Sequence, residues 1–152
     1  MDTQHIIDLE QDYLVQNYTR PQFVLDEGKG VYLFDTEGKK YLDMVSGIAV
    51  SALGYGDEGM IEVMRKAASK PLHVSNLYHT AGHAVLAEKL VKTSFADRVF
   101  FCNSGTEAIE GALKFARKWA RTTHNNPDKY EIISFTHAFH GRSMGALSTT
   151  AK

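Results

Sequence analysis

The sequence changes its period twice between Val99 and Phe135, and no other stretch constrains the fold as tightly. Val99-Phe100-Phe101-Cys102 is a short apolar run suited to a buried strand in a sheet covered on both faces. Asn103-Ser104-Gly105-Thr106 is a polar turn. From Glu107 to Arg121 the apolar residues Ala108, Ile109, Ala112, Leu113, Ala116, Trp119 and Ala120 recur at helical spacing and form one wide stripe. Glu107 and Glu110 lie near its start, and Lys114, Arg117, Lys118 and Arg121 lie toward its end, an order that complements the helix dipole. His124-Asn125-Asn126-Pro127-Asp128 breaks the helix, and Glu131–Phe135 is a second apolar strand candidate. Strand, helix and strand in that order predict an α/β fold built on a mostly parallel sheet with helices over it.

The first part of the chain reads differently. Residues 5–18 suit an amphipathic helix carrying Ile6, Ile7, Leu9 and Leu14, and Pro21 then favours extended backbone. Val31–Phe34 and Lys40–Met44 are rich in β-branched, aromatic and aliphatic residues, with turn chemistry in Asp35-Thr36-Glu37-Gly38 between them, so the spacing predicts a β-hairpin. Asp57 is placed to cap a helix with Met60, Ile61, Met64 and Ala67 on one face, ending before Pro71. A further helix is expected over 81–95, with Leu86, Leu90 and Val91 on its apolar side and Glu88/Lys92 as an i,i+4 ion pair in the favourable order.

Charge and cysteine content narrow the function classes. Seventeen basic against eighteen acidic side chains give a formal net charge of -1, which offers no electrostatic pull toward nucleic acid or an anionic membrane. No apolar run is long enough to cross a bilayer. Met1–Leu14 lacks the basic-plus-apolar pattern of a signal segment, and Cys102 is the single cysteine among 152 residues, so a cytoplasmic protein without an internal disulfide is expected. His79 and His83 have i,i+4 spacing, but Thr80-Ala81-Gly82 between them suits the beginning of a helix or a turn, and no metal site is expected. Cys102, following a strand, is expected to be buried and inert rather than a nucleophile.

The chemistry concentrates in two polar turns at the carboxyl ends of the two predicted strands, where open α/β sheets place their ligands. Asn103-Ser104-Gly105-Thr106-Glu107 opens a long helix, and a helix start presents unpaired N–H groups and a favourable dipole to an anion. Gly105 permits close approach of backbone, and the Ser104 and Thr106 hydroxyls are further donors. The same residues have the S-x-x-E spacing of a capping box, which needs no ligand. In His137-Ala138-Phe139-His140-Gly141-Arg142, the phenylalanine is suited to stack on a planar ring and the arginine to grip a carboxylate through two parallel hydrogen bonds. Alone, that segment reads first as a core aromatic followed by a solvated arginine.

Taken jointly, Asn103-Ser104-Gly105-Thr106-Glu107-Ala108 and Phe139-His140-Gly141-Arg142 resemble the class III aminotransferases. So do Gly28-Lys29-Gly30-Val31-Tyr32-Leu33, Asp35, Gly38-Lys39 and Tyr41-Leu42-Asp43. Ser46-Gly47-Ile48-Ala49-Val50, Ser75-Asn76-Leu77-Tyr78 and Phe95-Ala96-Asp97-Arg98-Val99-Phe100-Phe101 are similar to the acetylornithine-type members. The resemblance runs from about Tyr18 to Thr150 and rests on the order and spacing of these strings together. It implies a pyridoxal-phosphate-dependent transferase of fold type I: residues 1–56 as the N-terminal segment of a small domain with its β-hairpin, and 57–152 as the beginning of a large, mostly parallel-sheet domain. Gly105 and Thr106, with Ser104 beside them, would bind the phosphate of pyridoxal 5'-phosphate, and Phe139 would stack on its pyridine ring. Arg142 would hold the substrate's α-carboxylate, Tyr18 would be a second carboxylate contact, and Ile48 would line the substrate entrance toward a partner subunit. The implied reaction moves the side-chain amino group of N-acetylornithine to 2-oxoglutarate in a homodimer.

Two parts of that machinery have no counterpart in residues 1–152. The family's Schiff-base lysine and the aspartate that pairs with the pyridine nitrogen lie later in a longer chain, and Lys152 does not sit in the family's catalytic motif. A sheet only begun leaves an open edge and an uncovered apolar face, so the 152-residue chain alone is expected to be inactive and poorly stable. The alternatives are another class III specificity, for ornithine or 4-aminobutyrate, and a non-catalytic truncated remnant or interaction protein. A P-loop or hydrolase reading finds neither G-x-x-x-x-G-K-[ST] nor G-x-S-x-G in the sequence.

Overall fold

Where the sequence predicts one hairpin, three antiparallel strands form. In a computed structural model that describes residues 2–124 and 128–151, β1 (Leu25–Lys29), β2 (Tyr32–Asp35) and β3 (Lys40–Leu42) pair in the order β1-β2-β3. The predicted hairpin is β2–β3, with Leu33 opposite Tyr41. β1 is the strand that residue type conceals. Leu25-Asp26-Glu27-Gly28-Lys29 has no β-branched residue, yet it pairs with β2 through a two-residue loop at Gly30-Val31, where Gly30 takes φ +58°. The chain packs as two compact units, one running up to Tyr78 and the other starting at His79.

In the first unit, buried or bonded aspartates organise the turns. Asp35 is buried; its Oδ1 accepts from the backbone N–H of Glu37 (3.0 Å) and Lys39 (2.8 Å), and its Oδ2 from the Tyr41 hydroxyl (2.6 Å). That is why the Asp35–Gly38 turn closes where sequence chemistry predicts it. Asp43 repeats the device. Its Oδ1 accepts from Val45 N and Ser46 N, both at 2.9 Å, and its Oδ2 from the Tyr55 hydroxyl at 2.6 Å. It thereby anchors α2 (Ser46–Ala49), a single turn of left-handed backbone with Ser46, Gly47, Ile48 and Ala49 at φ +50°, +61°, +64° and +63°. Left-handed backbone disfavours L-residues by roughly 1–2 kcal/mol each, so this turn persists only because the surroundings hold it.

The helices follow prediction closely, with corrections at their ends. α1 (Thr3–Tyr13) stops earlier than residue 18: Leu14 is already extended, and the Gln16 amide donates to the carbonyls of Glu10 and Leu14. α3 (Glu58–Ala68) is capped by Asp57, whose Oδ1 accepts from Met60 N at 2.8 Å. In the second unit α4 (Ala81–Lys92) ends three residues before 95, where the Thr93 hydroxyl donates to the Lys89 and Leu90 carbonyls, and the Glu88–Lys92 pair closes at 2.6 Å. α5 (Gly105–His124) is longer than the predicted 107–121. Of the breaker expected over His124–Asp128, His124 is still helical, and residues 125–127 lie outside the described residues. α6 (Met144–Ser148), a short helix beyond the predicted elements, packs on α5.

The two apolar runs predicted as strands form no β-ladder among the described residues, and neither is buried. Phe100 is 63% exposed, Ile133 91% and Phe135 82%. A strand exists only through its ladder, so apolar sequence without a neighbour stays as unpaired backbone. Val99–Cys102 still runs against α5: Phe100 meets Phe115 edge-on at 5.6 Å, and Gly111 leaves the Phe100 ring room. Cys102, expected to be buried, is exposed, with its Sγ 3.5 Å from the Ser104 carbonyl. His79 precedes the Thr80 cap of α4 while His83 lies inside the helix, stacked on Phe101 at 5.2 Å, so the two histidines do not share a helical face.

Candidate functional site

The start of α5 carries both predicted features at once. The Ser104 Oγ accepts from Glu107 N at 3.3 Å, one half of a capping box. The other half is displaced by one residue: the Glu107 carboxylate accepts from Asn103 N at 2.7 Å and from the Asn103 amide at 3.3 Å. These bonds, the Asn103 side chain's foremost, hold the Glu107 carboxyl below its ordinary titration range. Among the described residues no acceptor takes the N–H of Gly105 or Thr106, and a Cβ on Gly105 would meet nothing within 4 Å. An open helix start with free N–H donors and a positive dipole end fits a phosphate group.

The second turn closes onto this start. Gly141, at φ +133°, lies so near Thr106 that a Cβ there would come within 2.7 Å of the Thr106 Cβ. Thr106 Oγ1 and Ser143 Oγ are 2.7 Å apart, and Ser143 N points at Thr106 Oγ1 at 3.4 Å. Phe139 is 62% exposed, and the exposed Arg142 guanidinium lies over its ring at 5.4 Å from the centroid. An exposed aromatic face beside a phosphate-competent helix start suits a planar, phosphorylated ring such as pyridoxal phosphate.

The second unit thus brings Thr106, next to Ser104 and Gly105, against Gly141 and Ser143 of the segment that carries Phe139 and Arg142. Tyr18 and Ile48 belong to the first unit. Tyr18 is 53% exposed beyond the end of α1, and Ile48 projects from the left-handed turn at 87% exposure. Glu110, Ser143 and Thr150 were missed as parts of the site. The Glu110 carboxylate caps α6, accepting from Ser143 Oγ (2.6 Å), Gly145 N (2.8 Å) and Ala146 N (3.1 Å). The Ser143 hydroxyl above all, helped by those N–H groups and by Lys114, lowers its titration range. In sequence Glu110 is indistinguishable from any acidic residue in the first turns of a helix. A cleft of this unit is lined by Lys114, Arg117, Lys118 and Arg121 along α5, but by neither Gly105, Thr106, Phe139 nor Arg142.

Comparison with known proteins decides the family. The class-III aminotransferase family model matches residues 13–152. The chain belongs to the class-III aminotransferases. It is 46% identical over 146 residues to an acetylornithine aminotransferase of Archaeoglobus fulgidus, covering 96% of this chain and 37% of that one. It is 48% identical over 141 residues to the corresponding Aquifex aeolicus protein, covering 92% and 37%. Among solved structures, an ornithine aminotransferase from Toxoplasma gondii superposes with a TM-score of 0.93 at 26% identity, covering 100% of this chain and 36% of that one. N-acetylornithine aminotransferase from Stenotrophomonas maltophilia superposes at 0.77 with 41% identity, covering 89% and 36%. The chain therefore has the α/β fold of the pyridoxal-phosphate-dependent transaminases and spans about a third of the length of the relatives it matches. No helix among the described residues is long and apolar enough to cross a membrane.

Proposed function

We propose that this class-III aminotransferase chain forms the phosphate- and carboxylate-binding part of an acetylornithine aminotransferase. The observation that carries the reading is the apposition, within one compact unit, of the α5 start and the Phe139–Arg142 segment. When bound, pyridoxal phosphate supplies the electron sink for amino transfer. The Gly105 and Thr106 N–H groups would hold its phosphate, with Ser104 fixing the helix start, and Phe139 would stack on its ring. Arg142 would orient the amino acid by its α-carboxylate, and Tyr18 would make a second carboxylate contact. Ile48 would line the substrate entrance of a homodimer. The family's catalytic lysine has no counterpart in residues 1–152, so the isolated chain is expected not to transfer an amino group.

N-acetylornithine as donor is supported by identities of 44–48% to relatives named acetylornithine aminotransferase, and among solved structures by 32% and 41% to acetylornithine aminotransferases against 26% and 28% to ornithine aminotransferases; 2-oxoglutarate is the acceptor proposed with it. In the full-length protein, residues 1–56 would belong to a small domain and 57–152 would open the large one, in a cytoplasmic enzyme. The test is turnover by that full-length protein. It is expected to prefer N-acetylornithine over ornithine and 4-aminobutyrate by kcat/KM, with the visible absorbance of bound cofactor. Preference for another donor overturns the substrate assignment. Neither absorbance nor turnover overturns the enzyme reading in favour of a non-catalytic role.

A further inference from the structure

The segment that carries Phe139 and Arg142 has no regular structure of its own, and both side chains are exposed. Side-chain bonds hold it from two directions. At one end, His140 N donates to Thr150 Oγ1 at 3.0 Å, and the Thr150 hydroxyl reaches the Ala146 carbonyl at 3.0 Å. At the other, Ser143 is seated between Thr106 and Glu110 of α5. The protons in this seat are assigned by chemistry. An ionised carboxylate only accepts, so the Ser143 hydroxyl donates to Glu110. The proton in the Thr106–Ser143 bond therefore comes from Thr106. The Thr106 hydroxyl proton is directed at Ser143, and the backbone N–H remains as that residue's donor to an anion at the helix start.

One Glu110 oxygen thus gathers Ser143 and the first N–H groups of α6. Gly145 lies so close to that carboxylate that a Cβ would overlap it. Remove the carboxylate, and the residue next to Arg142 loses one of its two fixed points on α5, keeping only Thr106. We propose that Glu110, acting through Ser143, is a positioning residue that sets where Arg142 stands relative to the start of α5, and so sets affinity for the substrate's α-carboxylate. This rests on the reading of Arg142 given above.

The test uses the full-length holoenzyme and calorimetric binding of glutarate, a dicarboxylate that does not react. Glu110→Ala is expected to weaken glutarate binding and raise KM for 2-oxoglutarate by roughly ten- to a hundredfold, the cost of displacing a positioning group by about 1 Å. Cofactor affinity, from titration of the visible absorbance, should change far less. Glu110→Gln keeps an accepting oxygen and should restore most of the affinity, which general destabilisation would not explain. In an Arg142→Lys background Glu110→Ala should add less than about a twofold loss, because the two act as one unit. Ser143→Ala, which removes one hydroxyl, carries the same expectation if Glu110→Ala does not fold. A weakened Arg142→Lys beside an unaffected Glu110→Ala or Ser143→Ala overturns the inference alone, as do losses that add. An Arg142→Lys variant with unchanged glutarate affinity overturns the assignment of Arg142, and the inference with it.

Discussion

Replacing Gly141 by alanine should damage both stability and substrate binding, for two separable reasons. Gly141 stands at φ +133°, a region that L-residues rarely enter. Holding a side chain there costs on the order of 1–3 kcal/mol. The new methyl would also meet Thr106 Cβ at 2.7 Å and Ala146 Cβ at 3.1 Å. Carbon atoms rest about 3.5–4.0 Å apart, so the segment must retreat by about 1 Å. Thr106 Cβ is fixed to α5 and cannot swing aside, so this overpacking adds a further 1–3 kcal/mol or so. The total is roughly 2–6 kcal/mol. Gly38→Ala is the control: Gly38 is at φ +79° but a Cβ there meets nothing within 4 Å, so only the backbone cost of about 1–2 kcal/mol applies. Urea titration of the full-length protein should rank Gly141→Ala as the more damaging. Its KM for 2-oxoglutarate should rise by tens of fold or so, since a 1 Å misplacement costs about a hundredfold. Equal destabilisation by the two variants, with KM unchanged in both, would refute the close-approach argument.

Three other expectations follow from the hydrogen-bond pattern. Thr106→Val should weaken dicarboxylate binding more than cofactor binding, because its hydroxyl serves Ser143; a loss confined to cofactor affinity, read from absorbance titration, contradicts the proton assignment. Tyr41 is pushed up from 10.0 to about 12, first by its bond to Asp35 and then by burial and nearby negative charge. A raised value means that its stabilisation is whole below pH 10 and lost as pH climbs toward about 12. Alkaline unfolding should therefore steepen over that window and lose this component in Tyr41→Phe; an ordinary tyrosinate absorbance titration near pH 10 would argue against it. Residues 1–152 expressed alone should show no cooperative thermal transition by circular dichroism, because few of the described residues are buried while Phe95, Ile133 and Phe135 stand open. A sharp melt would show that the two units suffice for a core.

What the sequence determined by itself is local. Asp57 as a cap, the Asp35–Gly38 turn, the helix beginning at the Ser104–Thr106 turn and the Glu88–Lys92 pair depend on neighbours within a few residues, and each stands where residue chemistry put it. The capping box and the proposed phosphate site use the same five residues, so sequence alone supports both readings. What needed the tertiary structure depends on distant partners. β1 exists because β2 offers it a ladder, whereas Val99–Cys102 and Glu131–Phe135 have the right composition and no paired neighbour among the described residues. The left-handed turn carrying Ile48 is held by Asp43, whose carboxylate also reaches Tyr55, twelve residues away. Glu110 becomes part of the site only because Ser143, thirty-three residues later, returns to α5. A side chain's role across such a gap is set by where the backbone brings its partner, and no spacing in the sequence encodes that distance.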